Sequence, residues 1–173
     1  MRFVIVGAGL AGHTAAVHLR ELAPQAKIDI LGDELGLPYD RPPLSKEVLG
    51  EGAPRYLANA ETYHENGISY HPGQTATQID RNRSEILTAC GNAYAYDRLL
   101  LATGSRARKV PDSVGQSSKI LYLRTLEDAV RLKSVLRESR RIAVIGGGFI
   151  GLEVAAAARA MACEVFLFEM TDR

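Results

Sequence analysis

The chain has 173 residues, 46% hydrophobic and 24% charged, the composition of an ordinary globular protein of one or two domains. A formal net charge of +1 supplies no general attraction to nucleic acid, and two cysteines are too few for a disulfide scaffold. No apolar run approaches the roughly 18 residues of a membrane span, and Met1 leads straight into a strand-like segment rather than a signal peptide, so no membrane association and a cytoplasmic location are expected.

The opening "RFVIVGAGLAGHTAAVHLREL" begins with a β-rich apolar run, breaks at Gly7, and then places apolar residues at Ala11, Ala15, Leu19 and Leu22. That pattern predicts strand, tight turn, helix. "AKIDILGDE", residues 26–34, follows as a second strand ending in acid, so residues 2–34 form a βαβ unit. Next comes "YDRPPLSK", residues 39–46. Its two prolines fix φ twice and withhold two backbone donors, which excludes helix interior and central strand and predicts a stiff loop. Arg41 and Lys46 on such a loop either decorate a surface or present two cations to something anionic.

From 68 to 104 the sequence turns to short alternating runs separated by turn signals, the pattern of a β-meander. Its last segment, Leu99 to Ala102, is continuously apolar, as in a strand returning to a buried sheet, and stops at Thr103-Gly104. "SRARKVPDSVG", to residue 115, reads as a linker, and "KILYLR", residues 119–124, as a short strand. Thr125 with Asp128 three residues on is a capping-box variant opening a helix. The basic stretch "RLKSVLRESRR", residues 131–141, has helical spacing without interleaved aromatics and reads as a solvated helix face, with a docking surface for an acidic protein partner as the alternative. "RIAVIGGGFIGLEVAAAARAMACEVFLFE", residues 141–169, then repeats the opening pattern. Cys90, Cys163 and the four histidines form no zinc or HExxH spacing, so two free, buried thiols and no metal are expected.

One GxGxxG is weak on its own. Here Gly7, Gly9 and Gly12 follow a strand, open a helix and are followed by Asp33 and Glu34 where an acid belongs; Gly146, Gly148 and Gly151 with Glu169 meet the same conditions independently. The first glycine permits the turn, the second lets backbone approach a pyrophosphate, and the third lets helix pack on strand. The helix N-terminus then faces phosphate. The chain is therefore expected to be α/β, with two Rossmann-type βαβ dinucleotide-binding units and a β-meander between them. No arginine follows Glu169 directly, and an anion there repels a 2′-phosphate, favouring NADH over NADPH. Two dinucleotide sites suggest a nicotinamide that donates hydride and a flavin that accepts it.

Taken in order, "VIVGAGLAG", "LGDE", "YDRPPLSK", "YDRLLLATGS", "LRTLEDA" and "VIGGGFIGLE" resemble the FAD-dependent NADH:ferredoxin reductases of ring-hydroxylating dioxygenase and cytochrome P450 systems, within the pyridine nucleotide-disulphide oxidoreductase superfamily. The resemblance implies an FAD/NAD(P)-binding fold with an FAD-binding part over residues 1–110 and the first part of an NAD-binding domain over 111–173. It implies FAD on Gly7, Gly9, Gly12, Asp33 and Glu34, with Arg41, Pro42, Ala102, Thr103, Gly104 and Arg124 as further contacts and Lys46 near flavin N5. Glu153 matches the position that pairs with that lysine, and NADH would lie on Gly146, Gly148, Ile150, Gly151 and Glu169. A ferredoxin or rubredoxin would take the electrons singly and serve an oxygenase indirectly.

The chain departs from the pattern in two ways. It lacks the redox CxxxxC of the disulfide-reducing relatives, which weakens a thiol mechanism. It also stops at Arg173, four residues past Glu169, whereas the resemblance implies a return to the FAD part and an interface domain. An N-terminal piece of a longer reductase is therefore expected, with a truncated or partner-dependent nucleotide-binding module lacking turnover as the alternative.

Overall fold

A computed structural model describes residues 1–111 and 117–172. The chain divides into two compact units, Met1–Asp40 with Arg55–Ser105, and Arg41–Pro54 with Arg106–Arg173.

In the first unit, β1 (Arg2–Val6), α1 (Leu10–Leu22) and β2 (Lys27–Leu31) form the expected βαβ. After them come α2 (Ala60–Glu65), β3 (Ile68–His71), β4 (Ala76–Asp80), β5 (Glu85–Thr88), β6 (Ala93–Ala95) and β7 (Arg98–Leu101). Four strands make a parallel sheet in the order β3-β2-β1-β7, with Val6 opposite Leu31 on one side and Leu101 on the other. The unbroken apolar run in β1 follows from burial of both faces. Ile5 packs with Ile28, Ile30, Ala16 of α1 and Tyr63 of α2; Val4 and Val6 pack with Leu31 and Ile86 of β5. Each isoleucine so buried contributes about 1.5–3 kcal/mol.

The meander is narrower than the sequence pattern suggests. The antiparallel set is β4-β5-β6, whereas Ile68–His71 joins the parallel sheet beside β2. The reason is α2, capped by Asn59 accepting from the Thr62 N–H, which carries the chain across so that β3 runs parallel. The strand Arg98–Leu101 does return to the sheet, but Leu100 and Leu101 stay exposed. Both cysteines are free, but only Cys163 is buried; Cys90 is exposed.

The second unit contains a short 3-10 helix (Pro42–Ser45), α3 (Leu126–Glu138), β8 (Arg141–Ile145), α4 (Phe149–Ala160) and β9 (Glu164–Phe168), with β8 and β9 parallel. The prolines occupy the first positions of the 3-10 helix, where no backbone donor is required. The capping box of α3 forms: Thr125 Oγ1 accepts from the Asp128 N–H at 3.1 Å, and the Asp128 carboxylate accepts from the Thr125 N–H at 2.9 Å. Leu136, Ala158 and Cys163 form one buried cluster, while Ile145, Phe149 and Phe168 are exposed. Residues 119–124 are not a strand; Tyr122 instead accepts from the Val110 N–H, and no strand lies beside the segment among the described residues. Residues 112–116 of the expected linker lie outside the described residues. Among the described residues no helix is long and apolar enough to cross a membrane.

Candidate functional site

Both glycine-rich turns leave the carboxyl end of a parallel strand, and they are near copies. Gly7 has φ +110° and Gly146 φ +107°, a region that L side chains avoid. Gly9 and Gly148 are the N-caps of α1 and α4, with φ −74° and −73°. A Cβ on Gly12 would fall 1.9 Å from the Gly7 carbonyl oxygen, and one on Gly151 2.0 Å from that of Gly146. In each βαβ unit the third glycine thus lets the helix seat against the turn.

The helix ends show what these turns are suited to hold. Among the described α-helices, α2 and α3 have side-chain caps, from Asn59 and Thr125, whereas α1 and α4 have none and no acid in their first turn. The first-turn N–H groups of a helix need partners, and the aligned peptide dipoles favour an anion there. A Cβ on Gly9 or Gly148 would meet no atom within 4 Å, so the approach is open. These residues fit a dinucleotide pyrophosphate.

In the first unit the surrounding residues converge. Strand order reverses at β1, whose neighbours are β2 and β7, and ligands of open α/β sheets lie outside the strand ends at such a switch point. A Cβ on Gly7 would fall 2.2 Å from the Ala102 carbonyl oxygen, so Gly7, Ala102 and Thr103 meet there, and Gly104 follows at φ +68°. Asp33, beyond the end of β2, is exposed; Glu34 accepts from the Tyr39 hydroxyl at 2.6 Å.

In the second unit Glu169 turns back onto the glycine turn. Its Oε2 accepts from the Gly147 N–H at 2.6 Å and its Oε1 from the N–H groups of Met170 and Thr171 and the Thr171 hydroxyl. The Gly147 hydrogen bond, followed by those from Thr171 and Met170, lowers the carboxyl pKa to about 2, so Glu169 is an anion at any neutral pH. Ile150 is exposed on the first turn of α4.

The same unit brings the stiff loop to α4. Lys46 Nζ lies 3.6 Å from Glu153 Oε1, and the buried Ser45 donates its hydroxyl to Glu153 Oε2 at 2.5 Å. Arg41 donates to the Arg124 carbonyl at 2.6 Å, and Pro42 is exposed. A groove of about 630 Å³, lined by Val48, Pro54, Leu126, Val130 and Lys133 among others, includes none of the candidate residues. Sequence reasoning missed Ser45, Tyr39 and Gly147. Ser45 stands next to Lys46, but a serine in a loop is too common to stand out; Gly147 is the extra glycine inside the second motif.

The profile of the pyridine nucleotide-disulphide oxidoreductase family matches residues 1–173. The chain is 41% identical to the ferredoxin–NAD+ reductase component of the p-cumate 2,3-dioxygenase system of Pseudomonas putida, over 99% of this chain and 43% of that protein. It is 40% identical to a rubredoxin–NAD+ reductase of Pseudomonas putida, over 100% of this chain and 46% of that one. The fold matches the crystal structure of a covalent putidaredoxin reductase–putidaredoxin complex with a TM-score of 0.88 and 41% identity, over 96% of this chain and 41% of that chain. The chain thus spans less than half the length of the curated relatives it matches.

Proposed function

Because the chain belongs to the pyridine nucleotide-disulphide oxidoreductase family, we propose that it carries the FAD and NADH half-sites of a cytoplasmic flavoprotein reductase that delivers electrons to a ferredoxin or rubredoxin, and through it to an oxygenase. Bound FAD would supply the conversion of a hydride from NADH into two single electrons for the iron–sulfur partner. One observation carries the reading: among the described α-helices, the two without a side-chain cap are the two that follow a glycine-rich turn, once in each unit.

Residues 1–110 are assigned to FAD and 111–173 to NADH. Gly7, Gly9, Gly12 and Ala102–Gly104 would receive the FAD pyrophosphate, and Asp33 and Glu34 the adenosine ribose. Arg41, Pro42 and Arg124 are assigned as further contacts, and Lys46 as the cation beside the flavin ring. A fixed ammonium there favours negative charge on the ring, and Glu153 holds its position while lowering the net charge. Gly146, Gly148, Ile150 and Gly151 would receive NADH. Glu169, held ionised by its backbone hydrogen bonds, would repel a 2′-phosphate, which selects NADH over NADPH.

The test is an anaerobic visible spectrum of the chain supplied with FAD, before and after NADH. Flavin bands that bind and then bleach support the reductase reading. Flavin that binds and never bleaches makes the chain a nucleotide-binding module without turnover, and flavin that stays free removes the FAD assignment.

A further inference from the structure

Two adjacent residues, Ser45 and Lys46, hold the two oxygens of one carboxylate, that of Glu153. Their holds are unequal. Ser45 is 6% exposed and ends a 3-10 helix that begins with two prolines, so its hydroxyl has little freedom. The Lys46 side chain is 53% exposed and reaches Glu153 through a flexible four-carbon stem. A half-exposed ion pair gains little, because water competes and ordering two long side chains costs entropy. A hydroxyl donated to a carboxylate is charge-assisted and shorter, and here it comes from a buried group.

We propose that Ser45 is the positioning residue of the Lys46–Glu153 pair: its hydroxyl fixes the Glu153 carboxylate so that Oε1 stays turned toward the ammonium. Glu153 is then the stationary partner and Lys46 the mobile one, able to leave and return to a carboxylate that has not rotated. The importance of this for electron transfer rests on the reading of Lys46 as the flavin's cation. The positioning itself does not.

The experiment is competitive acylation of lysine amines on the full chain without cofactor, using a limiting isotope-coded anhydride. Lys46 is quantified by peptide mass spectrometry against Lys119 and Lys133 in the same sample. Glu153→Gln should raise Lys46 labelling about two- to fivefold, the release expected for a half-exposed ion pair. Ser45→Ala and Ser45→Cys should each reach at least half of that increase. Cysteine keeps the buried volume but donates poorly, so it separates the hydrogen bond from packing. Ser45→Thr, which keeps the hydroxyl, should label as the unaltered chain does. The proposal is overturned if S45A and S45C label as the unaltered chain while E153Q rises, if S45T is as reactive as S45A, or if E153Q itself changes nothing. Because labelling needs no FAD, a chain that fails to bleach with NADH loses the reductase reading and leaves this result intact.

Discussion

Gly12 packs so closely on Gly7 that an added Cβ would stand 1.9 Å from the Gly7 carbonyl oxygen. The obstacle is backbone, which cannot swing aside, so Gly12→Ala should cost about 3 kcal/mol or more. Gly9→Ala should differ in kind. Its φ of −74° suits any residue and its Cβ direction is empty, so the loss should be about 0.5 kcal/mol, the deficit of alanine as an N-cap. If the FAD pyrophosphate lies there as proposed, FAD binding should nevertheless fall, since the methyl enters that open space. Urea unfolding and FAD titration of both variants separate the roles; equal losses of stability would contradict the close-approach argument.

Lys46→Met should leave FAD bound and slow its reduction at saturating NADH by about tenfold, less than for a fully desolvated charge because the side chain is half exposed. Anaerobic stopped-flow absorbance reads the rate. An unchanged rate would take Lys46 out of the mechanism.

His13 ties α1 to α2 through a 2.7 Å hydrogen bond between Nδ1 and the Tyr63 hydroxyl. Burial lowers the imidazole pKa below its usual 6.5, and burial, with a contribution from Tyr70, raises the Tyr63 phenol to about 12. At neutral pH the phenol keeps its proton and donates to the neutral imidazole. A depressed folded pKa means that the unfolded chain takes up the proton first as pH falls. The stability held above about 6.5 is then lost as pH drops through the folded value. His13→Gln should flatten that part of the stability–pH curve; a curve that keeps its slope would remove His13 as the cause.

On the proposed assignment of Glu169 to NADH, Glu169→Gln should weaken the discrimination against NADPH, because the amide no longer repels a 2′-phosphate. It should also remove a separate acid transition. With the carboxyl at about 2 when folded and near 4.5 otherwise, its contribution is present above about pH 4.5 and lost as pH falls toward 2. Nucleotide titrations with both cofactors and an acid unfolding series check the two effects.

Thr125→Ala should destabilise the second unit by about 1 kcal/mol, the usual worth of an N-cap. Asp128 would keep its bonds to the Arg124 and Thr125 N–H groups, so the loss falls on its own N–H. The urea midpoint should shift with an unchanged slope.

How much could be read from the sequence depended on the range of the constraint. The glycine turns and the Thr125 cap are decided within a few residues, and the chain spells them directly. The place of Ile68–His71 was hidden because α2 has only six residues, too few to show helical periodicity, and because parallel and antiparallel strands look alike in isolation. "KILYLR" carries the composition of a strand but no partner strand among the described residues, and composition cannot supply one. The tie between Ser45 and Glu153 spans 108 positions, which no local pattern encodes.

Residues 41–54 fold with the second unit although the first unit lies on both sides of them in the chain. No single break in the gene therefore separates the units. A piece starting at Arg106 would carry Glu153 without Ser45 or Lys46, and a piece ending at Ser105 would carry those two without their carboxylate. An expression fragment meant to isolate the second unit must therefore join residues 41–54 to residues 106–173.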